Sequence, residues 1–243
     1  MRQKRFFLLT AIVLLWCSAC ERTVEPVPAL LGYDYYPLET GFYRIYLVER
    51  TDYASNGGTT QSTYYLKELI ARTYLSEQQD TIFEIERYLS NQYPNGSWQI
   101  DSVWAAYRLP QHVVSVENNR PFVRLAFPLE QGRSWNMNVY NSLPERLARI
   151  DSFNVSRLVE GVQYSPALRV LEAADSNLVT KEYSYRYYGK DIGMIESYEE
   201  NLRYKTDPPY TGQGVIDFGF IVHFKLVDYG KQAMDNQTRA AVP

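Results

Sequence analysis

The sequence predicts an all-β fold, a strongly curved antiparallel sheet or barrel-like domain, with a two-sheet β-sandwich as the alternative. Three observations carry this. Segments of alternating polarity recur from Phe42 to Tyr229, separated by turns rich in Gly, Asn and Asp. Aromatic residues are abundant, 22 Tyr, 10 Phe and 4 Trp against 13 Gly, and broad amphipathic rings suit a pleated surface that is wet on one side. No 3.6-residue period of helical length occurs, and no βα alternation. Strands this numerous and long must curl or close to hide their edges.

The chain opens with Arg2, Lys4 and Arg5, an apolar run from Phe6 to Trp16, and then Cys17-Ser18-Ala19-Cys20. The run is shorter than the ~20 residues needed to cross a ~30 Å hydrocarbon core, so residues 1–19 read as a secretory leader and not as an anchor. Residues 20–36, with Pro26 and Pro28, read as a flexible tether. One β domain then fills 37–230, and 231–243 form a polar tail.

Within the domain, Tyr36-Pro37-Leu38-Glu39-Thr40-Gly41-Phe42-Tyr43 returns in similar form as Phe127-Pro128-Leu129-Glu130-Gln131-Gly132-Arg133-Ser134-Trp135. Each is a Pro–Gly turn leading into a strand, with a Leu able to staple it to the core. The spacing suggests an internal duplication, each copy opening one half of a β-meander. A convenient turn used twice is the alternative.

Phe42–Arg50 is a strand rich in aromatic and β-branched residues, Gly57-Gly58 a hairpin loop, and Ser62–Ser76 the returning strand. In 81–89, Phe83, Ile85 and Leu89 share one face, and Asn95-Gly96 marks the next turn. Trp98, Ile100 and Trp104 share a parity in 97–108, and 112–117 with 121–127 form a hairpin around Asn118-Asn119. Residues 146–158 read as a strand or a short helix, 167–172 as a strand and 172–177 as one helical turn. In 179–188, Val179, Tyr183, Tyr185 and Tyr187 alternate with Thr180, Glu182, Ser184 and Arg186; 192–204 answers as a strand. The longest alternation is the last, where Ile216, Phe218, Phe220, Val222, Phe224 and Leu226 oppose Asp217, Gly219, His223 and Lys225.

The chain carries 25 Lys+Arg and 28 Asp+Glu; loss of the leader with its three basic residues would leave 22 against 28, a net charge near −6. That excludes nucleic acid as a partner and a basic patch gripping anionic lipid. No G-x-S-x-G elbow occurs, the Gly212-Gln213-Gly214 turn fits no nucleotide fingerprint, and His112 and His223 stand on separate strands, too few for a zinc site. Carboxylate pairs such as Glu84/Glu86 and Glu199/Glu200 share or adjoin a strand face by geometry alone, so a hydrolase is the least favoured class. No catalytic residue, metal or cofactor is expected. The row Tyr183, Tyr185 and Tyr187 is the candidate ligand-binding feature, since rings on a concave sheet can stack on sugars or line an apolar cavity.

The Cys17-Ser18-Ala19-Cys20 tetrad resembles the lipobox of bacterial lipoproteins. With the Tyr36–Tyr43 opening and the hairpin Tyr188-Gly189-Lys190-Asp191-Ile192-Gly193-Met194-Ile195, the chain resembles uncharacterised β-rich lipoproteins of Gram-negative bacteria. The resemblance implies acylation of Cys20, loss of Cys17 with the leader and therefore no disulfide. The membrane would then be a partner through N-terminal acyl chains, and Glu21 in place of the aspartate linked to inner-membrane retention implies an outer-membrane location. It brings no activity. The expected function is a lipid-anchored, non-catalytic binding or structural module of the cell envelope, its further partner an envelope protein. The alternative is a lipocalin-like carrier of a small apolar or aromatic ligand.

Overall fold

The computed structural model describes residues 31–233. The expected leader, Cys20 and residues 234–243 of the expected tail lie outside them. The described chain is a sheet of twelve antiparallel strands: β1 (Phe42–Tyr53), β2 (Thr59–Leu75), β3 (Thr81–Ser90), β4 (Gln99–Arg108), β5 (His112–Glu117), β6 (Arg120–Ala126), β7 (Ser134–Asn136), β8 (Leu147–Val159), β9 (Val162–Ser176), β10 (Thr180–Gly189), β11 (Gly193–Tyr204) and β12 (Ile216–Lys231). Their spatial order is β6-β5-β4-β3-β2-β1-β12-β11-β10-β9-β8-β7. Every neighbour is the next strand in sequence except β1 and β12, which zip the two ends of the chain together from Phe42↔Lys231 to Tyr53↔Gly219.

The sheet curls until its edges nearly meet. Across the seam the Val123 N–H donates to Met137 O at 2.9 Å, and Trp135 Nε1 donates to Val123 O at 3.0 Å. Eight strands leave a barrel interior just wide enough for side chains, so twelve need additional filling. The two repeated turns supply it. Tyr36 and Leu38 from one, and Phe127 and Leu129 from the other, are buried with Phe42, Ile70, Ile85, Leu125, Ile150 and Leu168 in one core.

The two turns are equivalent in geometry as well as in sequence. Gly41 and Gly132 have φ of 85° and 88°, a region that favours glycine. The Gly41 N–H donates to Ile70 O of β2 at 2.8 Å, and the Gly132 N–H to Ile150 O of β8 at 2.7 Å. Each turn therefore opens six strands, β1–β6 and β7–β12, as a duplicated meander requires.

The strand alternation places the loops. The two turns, the β2–β3, β4–β5, β8–β9 and β10–β11 connections and the entering segment lie at one end, the plugged end; the other connections lie at the open end. The β5–β6 turn has positive φ at Asn118 and Asn119, and the β8–β9 turn at Glu160 and Gly161, the geometry that matches strand twist in two-residue hairpins.

Several expectations need correction. The tether expected over 20–36 is already part of the fold from Leu31: Tyr33–Tyr35 forms a single 3-10 turn, Tyr35 and Tyr36 are buried, and Tyr33 stacks edge-on against Phe127. Aromatic rings here outweighed the loop-like composition. The helical turn expected over 172–177 is strand, because β9 runs on to Ser176 with Glu172 at its bulge opposite β10. Residues 147–159 are strand throughout, but the β8–β9 ladder shifts register three times and Asn154 takes φ of 57°. The hairpin bends there, and its far end packs Val159 and Tyr164 with Ile192, Ile195 and Leu226 in a second buried cluster.

Candidate functional site

One two-residue step along a strand keeps a side chain on the same face and moves it about 7 Å along the barrel. Taken from the apolar core toward the open end, that step meets charge on strand after strand. Phe42 gives way to Arg44, Ile70 to Glu68, Ile85 to Arg87, Val170 to Glu172 and Tyr188 to Arg186, while Val113 leads through Ser115 to Glu117. Arg124 joins from β6. The lumen thus carries a belt of four arginines and three glutamates, a net charge of +1, immediately above the apolar plug.

Half of this belt is fully paired. Arg124 donates to Glu117 at 2.8 and 2.5 Å and to Glu172 at 3.3 Å, and Arg186 donates to Glu172 at 2.8 Å. Burial alone would raise the Glu117 carboxyl, but Arg124 and Arg186 outweigh it and hold its pKa below the ordinary value. Burial would lower the Arg186 pKa, and Glu172 beside it reverses that and raises it.

The other half is short of acceptors. Glu68 stands between Arg44 Nε at 3.8 Å and Arg87 Nε at 3.4 Å, and completes a hydrogen bond with neither. Arg44 is 3% exposed; its Nη1 donates to Ile192 O at 3.2 Å. Gly193, at φ of 91°, fixes that approach, since a Cβ there would lie 2.5 Å from Nη1. The Arg87 guanidinium sits 3.6 Å from the centre of the Trp104 ring, and Trp104 Nε1 has no partner. These groups line a cavity of about 70 Å³ together with Tyr36 and Tyr188, whose hydroxyl pKa values are raised by burial, so both stay neutral donors. A hollow of about 290 Å³ at the open end shares Glu117, Arg124 and Arg186 with this cavity and adds Arg120, Arg146, Glu172 and Glu199.

The tyrosine row lies elsewhere. Ser184, Arg186 and Tyr188 face the lumen, so Tyr183, Tyr185 and Tyr187 face outward from the convex side. The rings pack on one another and on Tyr198, with Tyr185 and Tyr198 stacked at 5.6 Å and 16°. Arg169 lies over Tyr185 and donates to the Tyr183 hydroxyl at 2.6 Å. A shallow outer hollow is lined by Lys181, Tyr183, Tyr185, Tyr198 and Glu200. The bent β8–β9 hairpin crosses this outer face, placing Arg157 over Tyr187 and against Glu196.

The remaining sequence candidates are not brought together. His112 Nδ1 pairs with the Tyr140 hydroxyl at 2.9 Å, while His223 Nε2 donates to Glu196 at 2.8 Å. Glu84 accepts from Arg72 at 2.8 and 2.9 Å, and Glu86 pairs with Tyr88. Among the described residues no group of three or more His, Cys, Asp or Glu could hold a metal. The belt itself was missed from sequence. Its signal was a charged residue in phase with a buried row, as in Phe42-x-Arg44, Glu68-x-Ile70, Ile85-x-Arg87 and Arg186-x-Tyr188.

No protein-family profile matches the chain, and no curated protein does. Among solved structures it is similar to an inferred exported protein with a YMCC-like fold from Bacteroides fragilis, at 10% identity and a TM-score of 0.40, over 81% of this chain and 98% of that one. An inferred lipoprotein from Parabacteroides distasonis is similar at 10% identity and a TM-score of 0.37, with the same coverages.

Proposed function

We propose that the chain is a lipid-anchored module of the cell envelope that binds and does not catalyse, with Cys20 as the acylated residue and the outer membrane as its location. The observation that carries this reading is the Cys17-Ser18-Ala19-Cys20 tetrad at the end of a short apolar run, only ten residues ahead of the first described residue, Leu31. Ten residues reach at most about 35 Å when fully extended, and Leu31 enters at the plugged end, bonding to Leu129 N–H at 3.1 Å. The anchor would therefore be joined to the plugged end, and the charged lumen opens at the other end.

The interior favours recognition of something small and polar over the carriage of an apolar ligand. Sites for drug-sized ligands occupy about 300–1,000 Å³ and are mostly apolar; here the apolar part of the lumen is filled by the two turns and the cavity beyond it is ringed by arginine. Charge-pairing also supports binding over catalysis, since Glu117 and Glu172 are already engaged by arginines.

Cys20→Ser is expected to move the protein from the membrane fraction to the soluble fraction, followed by immunoblotting after cell fractionation. Retention of the variant in membranes that resist a high-salt wash would sink the lipid-anchor reading.

A further inference from the structure

We propose that the cavity between Arg44, Arg87 and Trp104 is a binding site for a small oxyanion, a carboxylate or phosphate group, which completes a shell of donors that the protein alone leaves open. Three buried N–H groups of residues that line it have no acceptor: Arg44 Nε, Arg87 Nε and Trp104 Nε1. A buried donor without a partner costs about 1–3 kcal/mol, more when charged, and folded proteins leave few of them. Three in one cavity form a set.

The chemistry around them selects for an anion. The acidic group within reach of Arg44 and Arg87 is Glu68, shared at 3.8 and 3.4 Å in orientations that satisfy neither. Glu117 and Glu172 are committed to Arg124 and Arg186. The belt therefore keeps one positive charge in excess in a place from which bulk water is largely excluded, where a charge-assisted hydrogen bond is about twice as strong as a neutral one. An indole N–H donates and never accepts, and the Arg87 guanidinium packs on the Trp104 ring, 3.6 Å from its centre. The space suits a head group: a cavity needs about 10–15 Å³ to hold one water, so about 70 Å³ has room for one oxyanion. The rest of such a molecule would occupy the open-end hollow, to whose lining Arg120, Arg146 and Glu199 add one further net positive charge.

The test uses the whole protein in mild detergent, labelled with ¹⁵N and titrated with inorganic phosphate, with acetate, and with chloride at matched ionic strength. Of the four tryptophans in the sequence, Trp16 leaves with the leader, and Trp98, Trp104 and Trp135 remain. The indole resonance absent from a Trp104→Phe variant identifies Trp104. That resonance is expected to shift saturably with phosphate or acetate, the more effective of the two naming the head group. Trp135, whose indole already donates to Val123 O, should not move. Arg87→Gln should weaken the response about tenfold, the loss of one charged hydrogen bond. A Trp104 resonance unmoved by either oxyanion, or moved equally by chloride, would overturn the proposal and leave the cavity to water. Because this readout is taken on the unaltered protein, it stands even if Arg87→Gln fails to fold.

Discussion

Two charged clusters occupy opposite faces of the same sheet, and they differ in how completely their donors are answered. On the outer face, Glu196 is 2% exposed and accepts from Arg157 at 2.5 and 2.7 Å, from His223 at 2.8 Å and from Tyr185 at 3.1 Å. Inside the lumen, Arg44 Nε, Arg87 Nε and Trp104 Nε1 have no acceptor, and Glu68 is the one carboxylate beside the two arginines. Burial is similar; completeness is not. The outer cluster is a closed clamp that fastens the bent β8–β9 hairpin to β11 and β12. The inner one is open, and open polar shells are where a protein has use for something it does not itself contain.

The largest expected effect belongs to the part of the belt that is closed. Glu172 is 5% exposed and answers both Arg124 and Arg186. Glu172→Gln keeps the shape and removes the charge, leaving two buried guanidinium groups with too little acceptor. A loss of about 3–5 kcal/mol is expected, read as a lowered midpoint in urea. An unchanged midpoint would mean that the two faces are not distinguished by charge completeness, and the comparison would fail.

The outer clamp should show itself in acid. Burial alone would raise the Glu196 carboxyl, but hydrogen bonds from His223 and Arg157 prevail and hold it at about 2 against an ordinary 4.5. A carboxyl lowered in the folded state contributes stability that is fully present above its ordinary value and is lost as pH falls toward the folded one. Thermal unfolding midpoints should therefore drop between pH 4.5 and about 2. Glu196→Gln should start lower and decline less steeply across that window. Parallel curves for the two proteins would assign the acid sensitivity elsewhere, with Glu117, also held low by Arg124 and Arg186 against its burial, as the next carboxyl to replace.

The same contrast explains how much of this molecule is legible in its sequence. The all-β class, the curved sheet and the turn that recurs at Gly41 and Gly132 follow from local rules: period-two alternation, Asn118-Asn119 as a tight hairpin, and a Pro–Gly turn leading into a strand. The fold of Leu31–Tyr36 was not legible, because its burial comes from rings docking on Phe127 and Phe153 far along the chain. Nor was the three-residue β7, too short to show a period. The belt was hidden for a different reason. Alternation assigns a strand two faces but not which is inside, and polarity normally decides. On β10 polarity points the wrong way: Ser184 and Arg186 face the lumen with Tyr188, while Tyr183, Tyr185 and Tyr187 face outward. Even β12, the longest alternation, buries Val222 and Leu226 yet leaves Phe218 46% exposed, because the strand runs past the core at its open end.

The smallest expected effect separates the two readings of the tyrosine row. Tyr185 donates one of the four hydrogen bonds that Glu196 accepts and stacks on Tyr198. Burial first, and the Glu196 charge beside it, raise its hydroxyl pKa, so it remains a donor across the neutral range. Tyr185→Phe keeps the ring and its stacking and removes that one bond, leaving Glu196 with three charged or imidazole donors. A loss of about 1 kcal/mol is expected, smaller than for any member of the belt, because a nearly full shell tolerates the removal of one donor. If Tyr185→Phe instead left stability unchanged while Tyr183→Ala and Tyr187→Ala did the same, the row would carry no architectural load. The shallow hollow beside Lys181 and Glu200 would then become the place to look for a ligand on the outer face.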